Sequence, residues 1–344
     1  LNTAKSIAED KFANHNQKGD ANEPQFNGKT VTLISETKAA WDAWAEAGFL
    51  AAHYPFDEDG MQLPETVLRV AMAYPSAANV STAAYGFLTM GAANLIRSFA
   101  TPEHQARFLP SMKTGRFSGT MALTEPNQGS ALADIRTRAV EQADGSYKLS
   151  GQKMYISGGD HELTDNIIHM VLAKIDGAPA GVKGISLFIC PKFLVNDDGS
   201  IGKRNDVQLA GLLHKMGNRN TTSTVLNFGE QNGATAYLVG KPHHGLLCMF
   251  QMMNEARIGV GMGAAVLAYQ GYNYSLGYAR ERPQGRLVSN KDPASEQVNI
   301  IQHPDVRRML LAQKAYAEGA MALCLYGSQL FEDSKSLASQ SEKE

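Results

Sequence analysis

Hydrophobic and polar positions change their spacing twice along the chain. Over the first third, apolar residues recur with helical spacing, first in residues 35–48 and again after Pro64. Thr101-Pro102-Glu103 then supplies a capping hydroxyl, a proline suited to a first turn and an acid near the positive end of a helix. We therefore expect the next helix to run from this signature to Pro110.

The middle of the chain has the spacing of strands. Short segments alternate in polarity or carry β-branched residues, and Gly- and Asp-containing turn signals separate them. Strands at this spacing indicate a small antiparallel barrel or sandwich. The predicted strands lie at residues 136–141, 147–149, 167–173, 185–189 and 224–228.

Helical spacing returns after Gly245. Apolar residues over 246–253 fall on one broad face, a stretch rich in Ala, Gly and Tyr continues to Arg280, and a further helix is expected from about Asp305 to beyond Leu323. At 344 residues the chain exceeds one ordinary core. We expect an α+β multi-domain protein: an N-terminal helical domain (1–117), a central antiparallel β-barrel (118–238) and an incomplete C-terminal helical bundle (239–344).

Residues 77–96 are small and apolar enough to suggest a membrane span. Polar side chains interrupt this stretch, and much of its apolar content is alanine, whereas a span needs about 20 predominantly apolar residues. A buried, closely packed helix is the better interpretation, and no membrane span is predicted. The interrupting residues are Asn79, Ser81, Thr82, Thr89 and Asn94.

Charge and cysteine content exclude several classes of protein. The chain carries 32 basic and 34 acidic residues, so it lacks the basic excess of a general nucleic-acid binder. Cys190, Cys248 and Cys324 are widely spaced and form no CxxC pair, which predicts free thiols in a reducing compartment, with a cytoplasmic location. Adjacent His243 and His244 lack a carboxylate or thiol at ligand spacing, and no metal site is expected.

The segment from Met121 to Ser130 concentrates polar groups among backbone-shaping residues. Hydroxyls of Thr124 and Ser130 stand on either side of Pro126, which fixes its own φ, and Gly129, which permits a sharp turn. Such a loop suits the hydrogen-bonding edge of a planar heterocycle. A surface turn would show the same residues.

Other clusters also allow two interpretations each. Tyr155 and Ser157, at a strand end, can stack on a ring and bond its edge, or belong to a strand with one inward aromatic. Charges at 254–257 are typical of a solvated helix face. Arginines within 280–286 can hold a pyrophosphate or remain solvated near a helix end.

The glycines from Gly259 to Gly263 fit the dinucleotide pattern G-x-G-x-x-A, with Glu281 about 20 residues further on. That motif needs a strand directly before it, whereas residues 246–258 are rich in Leu and Met and have helical spacing. We therefore interpret Gly259 and Gly263 as small residues that let two helices approach closely.

Taken together and in order, these clusters resemble the acyl-CoA dehydrogenase family over nearly the whole chain. A long insertion between Pro283 and Asn299 and the sequence at 156–161 are similar to the branch that includes 3-(methylthio)propanoyl-CoA dehydrogenases. The family resemblance rests on the helix signature at 101–105 with Phe108 to Gly115, on Thr124-Glu125-Pro126 with Gly129-Ser130, on Tyr155-Ile156-Ser157, on Arg257 and on Tyr278 through Arg282.

The resemblance implies FAD as cofactor and assigns contacts to individual residues. Leu123 and Thr124 would contact the flavin ring beside Met121, Tyr155 would pack on it, and Ser157 would bond near its reactive nitrogen. Ser130 would bridge flavin and acyl-CoA. The residues implied at FAD across a dimer interface are Arg282, Gln284 and His303, and those implied at acyl-CoA are Asn254 and Arg257. Met121 stands where many relatives have an aromatic, and Ala131 replaces an acid.

The implied activity is α,β-dehydrogenation of an acyl-CoA thioester in fatty acid metabolism, with electrons passed to an electron-transfer flavoprotein or similar acceptor. A homodimer or homotetramer is expected, without nucleic acid. An acyl-CoA oxidase or nitroalkane oxidase on the same fold is an alternative. A non-catalytic, nucleic-acid-associated flavoprotein is another, and the balanced charge argues against it.

The catalytic base has no assigned residue. Most relatives carry a glutamate beyond the third C-terminal helix, and some carry it immediately before the arginine that matches Arg257. Here Ala256 holds the second position, and Glu255 lies one residue early, a rotation of about 100° around the helix. The base is therefore expected beyond Glu344, with the chain a fragment that lacks the last helix.

Overall fold

A computed structural model describes residues 1–290 and 292–337. Helices occupy both ends of the chain and flank the strands. They are α1 (Asn2–Ile7), α2 (Asn16–Ala21), α3 (Ser35–Glu46), α4 (Glu65–Phe99), α5 (Pro102–Lys113), α6 (Gly245–Glu281) and α7 (Pro304–Ser336). A π turn lies at Ala8–Phe12, and short 3-10 turns lie at Ala13–His15, Phe49–Ala51, Phe56–Glu58, Leu132–Asp134, Gly181–Gly184 and Ile300–Gln302.

The strands lie between α5 and α6, apart from a small N-terminal hairpin. That hairpin pairs β1 (Gln25–Phe26) with β2 (Val31–Thr32). The others are β3 (Phe117–Ala122), β4 (Arg138–Glu141), β5 (Tyr147–Ser157), β6 (Asn166–Ile175), β7 (Ile185–Pro191), β8 (Phe193–Val195), β9 (Ile201–Arg204), β10 (Val207–Leu212), β11 (Ser223–Phe228) and β12 (Ala234–Val239).

A closed ring of strands forms the centre of the fold. β5 pairs with β12, β12 with β7, β7 with β6, β6 with β4, and β4 again with β5. β3 extends this ring beside β6, and β11 and β10 extend it beside β5. Most pairs are antiparallel as expected, but β3 and β4 run parallel to β6. The predicted α+β fold with a central barrel is confirmed.

Strand β3 shows why part of the barrel escaped prediction. It is buried along nearly its whole length, so its sequence lacks the alternation of a strand with one wet face. Its polar members are satisfied inside: the Thr120 hydroxyl and His169 Nδ1 are 2.8 Å apart, and the Gly119 N–H donates to the Thr89 hydroxyl at 3.1 Å.

Helix α4 is the long, buried helix expected over the small-residue stretch, and it bends at Asn79. This residue has φ −162° and ψ 86°, outside the helical region. Its side chain replaces the interrupted bonds, because Oδ1 accepts from the Thr82 N–H at 3.1 Å and Nδ2 donates to the Phe12 carbonyl at 3.2 Å. Among the described residues, no helix has the length and apolarity to cross a bilayer.

Helix α5 begins as predicted but does not end at Pro110. The Thr101 hydroxyl accepts from the His104 N–H at 3.3 Å, which is an N-cap bond. The helix continues past Pro110 to Lys113. The proline ring removes only one backbone donor near the end of the helix, so one more turn still forms.

The C-terminal helices pack on each other and on α4. A Cβ added to Gly259 would overlap the ring of Phe87 on α4, which confirms that this glycine permits a close helix contact. Gly263 has no heavy atom within 4 Å of such a Cβ, so the same role is wrong for that residue. Residues 338–344 of the predicted third domain lie outside the described residues. The domain boundaries themselves stay predictions.

Candidate active site

The loop after β3 contains a tight turn. The Glu125 N–H donates to the Gln128 carbonyl at 2.8 Å, and the Gln128 N–H donates back to the Glu125 carbonyl at 3.1 Å. Pro126 therefore occupies the first inner position of the turn, where its fixed φ is suitable. Gly129 lies just after the turn, where the backbone bends as expected, although it does not take a positive φ.

The carboxylate of this loop is a buried structural group. Glu125 Oε1 accepts from Lys153 Nζ at 3.0 Å and from the Thr137 hydroxyl at 2.6 Å, and Oε2 accepts from the Arg136 N–H at 2.6 Å. Burial opposes ionisation, but Lys153 and these donors outweigh it and lower the pKa of Glu125. Burial lowers the pKa of Lys153 to about 8, with Glu125 acting in the opposite direction.

Tyr155 lies in β5 where the pairing with β11 is irregular, and its backbone has an unusual conformation. Its φ is 61°, in the left-handed region that an aromatic residue rarely adopts, and its side chain is 63% exposed. Ser157 lies two residues further on, paired with Ser223 of β11. Strained residues of this kind occur mainly where the surrounding structure holds them for a function.

Three predicted cofactor residues carry hydroxyls that the protein leaves available. No described residue forms a hydrogen bond with the hydroxyl of Thr124, Ser130 or Ser157. Thr124 and β5 are neighbours, since the Met154 N–H donates to the Thr124 carbonyl at 2.9 Å. Unpaired hydroxyls beside an exposed aromatic ring form a donor set that fits the polar edge of a flavin.

A cavity of about 310 Å³ lies between α4, α6 and the end of β5. Of the predicted cofactor residues, Met121 and Ser157 line it, whereas Leu123, Thr124, Ser130 and Tyr155 do not. Its wall is mainly apolar and includes several methionines, which adapt to irregular shapes. The apolar wall consists of Leu68, Met72, Ala84, Phe87, Leu88, Met90, Gly91, Met252, Ala256 and Val260.

One side of the cavity is polar. Asn94 Nδ2 donates to Glu255 Oε2 at 2.8 Å, and the Asn94 Oδ1 lies 2.7 Å from His53 Nε2. Glu65 and Arg69 complete this side, with their charged groups 3.5 Å apart. Burial is the main influence on Glu255 and raises its pKa above the ordinary value of 4.5.

No motif in the sequence predicts this polar side of the cavity. Asn94 and Glu255 are 161 positions apart, and in the sequence Asn94 is only a polar interruption of an apolar helix. Glu255 precedes by one residue the position at which some relatives carry the catalytic glutamate. Both Glu255 and Ala256 nevertheless line the cavity, so a one-residue rotation does not remove the carboxyl from it.

The residues predicted to contact acyl-CoA lie together on the surface of α6. Arg257 Nη1 donates to Asn254 Oδ1 at 2.5 Å, and the guanidinium lies 5.9 Å from the centre of the Phe250 ring. Both side chains are exposed and lie outside the lining of the cavity. They can therefore contact a polar part of a ligand at the surface.

The residues predicted to reach FAD across a dimer interface form a second cluster. Arg282 Nη2 donates to Gln284 Oε1 at 3.5 Å, and His303 Nε2 lies 2.7 Å from the Gln284 carbonyl. The insertion between them is closed at its base by the bridge of Pro283 with Asn299. The loop thus brings together residues that are far apart in the sequence.

Comparisons with known proteins define the class. The model of the acyl-CoA dehydrogenase N-terminal domain matches residues 1–116, and that of the middle domain matches residues 120–230. The chain belongs to the acyl-CoA dehydrogenase family, whose members are FAD-dependent oxidoreductases. The predicted family is confirmed.

The chain is similar to several characterised members. It is 40% identical over 307 residues to the 3-methylmercaptopropionyl-CoA dehydrogenase of Ruegeria pomeroyi, covering 89% of this chain and 51% of that protein. It is 38% identical over 326 residues to the broad-specificity linear acyl-CoA dehydrogenase FadE5 of Mycobacterium tuberculosis, covering 93% and 53%. The chain spans about half the length of these relatives.

Solved structures share the fold at lower identity. The acyl-CoA dehydrogenase of Bacillus anthracis in complex with FAD superposes with a TM-score of 0.79 at 22% identity, over 99% of this chain and 53% of that one. The butyryl-CoA dehydrogenase of Megasphaera elsdenii superposes with a TM-score of 0.77 at 20% identity, over 96% of this chain and 78% of that one. At these identities the likeness supports the fold alone.

Proposed function

We propose that this protein catalyses FAD-dependent α,β-dehydrogenation of an acyl-CoA thioester to the 2-enoyl-CoA and passes the electrons to a separate acceptor. The observation that carries this proposal is the shared cavity wall. Met121 and Ser157, both predicted at the flavin, line the same largely apolar cavity as Gly91 and Met252. An acyl chain in this cavity would have its reacting carbons beside the flavin site.

FAD, when bound, supplies the hydride acceptor. Thr124 and Ser157 would hold the polar edge of the ring through their free hydroxyls, and the exposed Tyr155 ring would cover one face. Ser130, at the exposed end of the loop, would reach both the flavin and acyl-CoA. The cluster of Arg282, Gln284 and His303 would hold the more distant part of FAD across a subunit interface.

The cavity would select for the acyl group. Its methionines and leucines exclude water from a hydrocarbon chain, and binding is favoured by the apolar area that both surfaces lose to solvent. Arg257 and Asn254, exposed on α6, would contact the CoA part outside the cavity. Exclusion of water also strengthens any hydrogen bond to the thioester oxygen, which acquires negative charge during α-proton removal.

Further features support the proposed assembly and location. Large apolar side chains are exposed along α6 and α7, as expected of helices that pack against other copies in a homodimer or homotetramer. Cys190 and Cys248 are buried free thiols and Cys324 is partly buried, which suits a reducing cytoplasm. An electron-transfer flavoprotein or similar protein would accept the electrons.

Anaerobic titration of the FAD-loaded full-length protein with acyl-CoA thioesters of increasing chain length tests the function. We expect loss of the visible flavin absorption with at least one thioester and a matching yield of 2-enoyl-CoA. A protein that binds FAD but is bleached by none of them contradicts the proposal. Rapid peroxide formation in air, without an added acceptor, would instead identify an oxidase.

A further inference from the structure

Lys153 is an unusual residue for the wall of a β-barrel. Its side chain has no exposed surface, although a lysine buried to this degree must have partners. The ammonium group donates to the Leu123 carbonyl at 2.9 Å and to Glu125 Oε1 at 3.0 Å. One buried cation thus contacts the main chain and the side chain of the same loop.

The ion pair of Lys153 and Glu125 is surrounded by further hydrogen-bond donors. Thr137 donates to Glu125 Oε1 from both its hydroxyl and its N–H, at 2.6 and 3.0 Å, and the Arg136 N–H donates to Oε2. A buried ion pair of this kind contributes little net stability, because desolvation offsets the attraction. Because stability does not account for the pair, its contacts point to a role in setting the conformation of the loop.

Contact with the Leu123 carbonyl determines the direction of a neighbouring donor. A trans peptide is planar, and its C=O and N–H point in opposite directions. The described chain contains no cis peptide. Since the Leu123 carbonyl points at Lys153 in the barrel, the Thr124 N–H of the same peptide points away from Lys153, out of the barrel.

The following peptide is fixed as well. The Thr124 carbonyl accepts from the Met154 N–H at 2.9 Å, and the Glu125 N–H donates to Gln128. Both carbonyls that flank the Thr124 side chain are therefore occupied by donors from β5. The loop therefore leaves the N–H and the hydroxyl of Thr124 available as donors, while the Leu123 carbonyl is occupied by Lys153.

From this geometry we infer that Lys153 is a positioning residue for the flavin: it orients the Leu123–Thr124 peptide so that the Thr124 N–H can donate to the ring. This inference rests on the proposed flavin site. The charge of Lys153 is balanced by Glu125 at 3.0 Å, so its effect on the ring is mainly through geometry. Without the ammonium group, the peptide can rotate and turn the Leu123 carbonyl towards the flavin, where it would repel the acceptor atoms.

The test uses the full chain and a paired variant. Lys153→Met alone would leave the Glu125 charge buried without its cation, which is strongly destabilising. The double variant Lys153→Met/Glu125→Gln avoids this, because the amide oxygen of Gln can still accept from Thr137. The matched control is Lys192→Met/Asp160→Asn, which removes another largely buried ion pair of 2.6 Å from the same domain and leaves the Leu123–Thr124 peptide untouched.

Two measurements separate positioning from general stability. In the cofactor-free protein, the 15N chemical shift of Thr124 reports the bond to the preceding carbonyl, with Thr224 in β11 as an internal reference. FAD affinity is then measured by quenching of its fluorescence. For the double variant we expect a changed Thr124 shift, an unchanged Thr224 shift and at least about tenfold weaker FAD binding. The control should behave as wild type in both.

An unchanged Thr124 shift, or FAD affinity equal to that of wild type and control, overturns the inference. Failure of the proposed function is distinguishable from this result. If the wild-type chain itself does not bind FAD, the flavin site is wrong, whereas the Thr124 shift of the cofactor-free protein still shows whether Lys153 orients the peptide.

Discussion

The Asn94 side-chain amide donates a hydrogen bond to the carboxyl of Glu255, with Nδ2 and Oε2 2.8 Å apart. This bond joins α4 to α6 at the polar side of the cavity. Burial raises the pKa of Glu255, so the carboxyl holds its proton at a pH at which an exposed glutamate has lost it. Several properties of the protein should depend on this pair.

Replacing Glu255 by Gln should stabilise the protein near neutral pH. The folded state retains a proton that the unfolded state releases above the ordinary pKa of 4.5, so wild-type stability falls as the pH rises from that value through the raised pKa. Each unit of the pKa shift corresponds to about 1.4 kcal/mol. Denaturant unfolding of both proteins at a series of pH values should show the advantage of Glu255→Gln vanish below about pH 4.5.

Glu281→Gln is the matched control, because Glu281 is exposed at the end of the same helix. It should leave the free energy of unfolding nearly unchanged. In the full-length protein we also expect Glu255→Gln to remain bleachable by acyl-CoA, because proton abstraction is not assigned to Glu255 and Gln can still accept from Asn94. Complete loss of bleaching with FAD affinity intact would instead assign Glu255 as the proton-abstracting base.

The backbone conformation of Tyr155 should lower stability, whereas its ring should favour FAD binding. Glycine adopts a φ of 61° without a steric penalty, whereas alanine still carries that penalty because it has a Cβ. The free energy of unfolding of Tyr155→Gly should therefore be about 1 kcal/mol higher than that of Tyr155→Ala. Both variants lack the ring and should bind FAD equally weakly. Thermal unfolding and FAD titration check the two parts. Equal stability of the two variants would show that the backbone relaxes when the ring is removed.

The cavity should become shorter when Gly91 is replaced by Ala. The added Cβ would lie 2.9 Å from Met252 Cε and 3.1 Å from its Cγ, and this flexible side chain can move only by giving up cavity space. We expect the affinity for the longest accepted acyl-CoA to fall by about tenfold, with shorter thioesters little affected. Gly263→Ala on α6 meets no heavy atom within 4 Å and should leave the chain-length profile unchanged.

The contact between α4 and α6 should not tolerate a methyl group at Gly259. The new Cβ would overlap the Phe87 ring, and overpacking of this kind costs about 1–3 kcal/mol. Gly271→Ala lies on the same helix in open space and should increase stability by up to about 1 kcal/mol. Denaturant unfolding measures both changes. A lower free energy of unfolding for Gly259→Ala with a higher one for Gly271→Ala would verify the contact, and a higher free energy of unfolding for Gly259→Ala would refute it.

Sequence patterns predicted the parts of this fold that depend on local chemistry. The Thr101 cap, the return of helical spacing at Gly245 and several barrel strands follow from propensity and periodicity. The patterns did not predict β3, because burial on both faces removes the alternation of polar and apolar residues. They also placed the end of α5 too early, because Pro110 removes only one backbone hydrogen bond and the helix continues past it.

The candidate site divides in the same way. Hydroxyls and aromatics in short motifs, such as Thr124 and Tyr155, were identified because each motif is continuous in the sequence. Asn94, His53 and Glu255 come from separate helices and turns, and only tertiary packing brings them together. The positioning role of Lys153 could likewise not be predicted, because it depends on a hydrogen bond to the carbonyl of Leu123, 30 positions away.

The insertion that begins at Pro283 is fastened close to its base. Besides the bridge with Asn299, the Gln284 N–H donates to the Val298 carbonyl at 2.9 Å, and the Val298 N–H donates to the Gly285 carbonyl at 3.0 Å. These bonds mechanically uncouple the outer part of the loop from Arg282 and His303. Mutation and selection can therefore lengthen or rewrite that outer part, or an experimenter can graft an epitope there, without displacing the cluster at its foot.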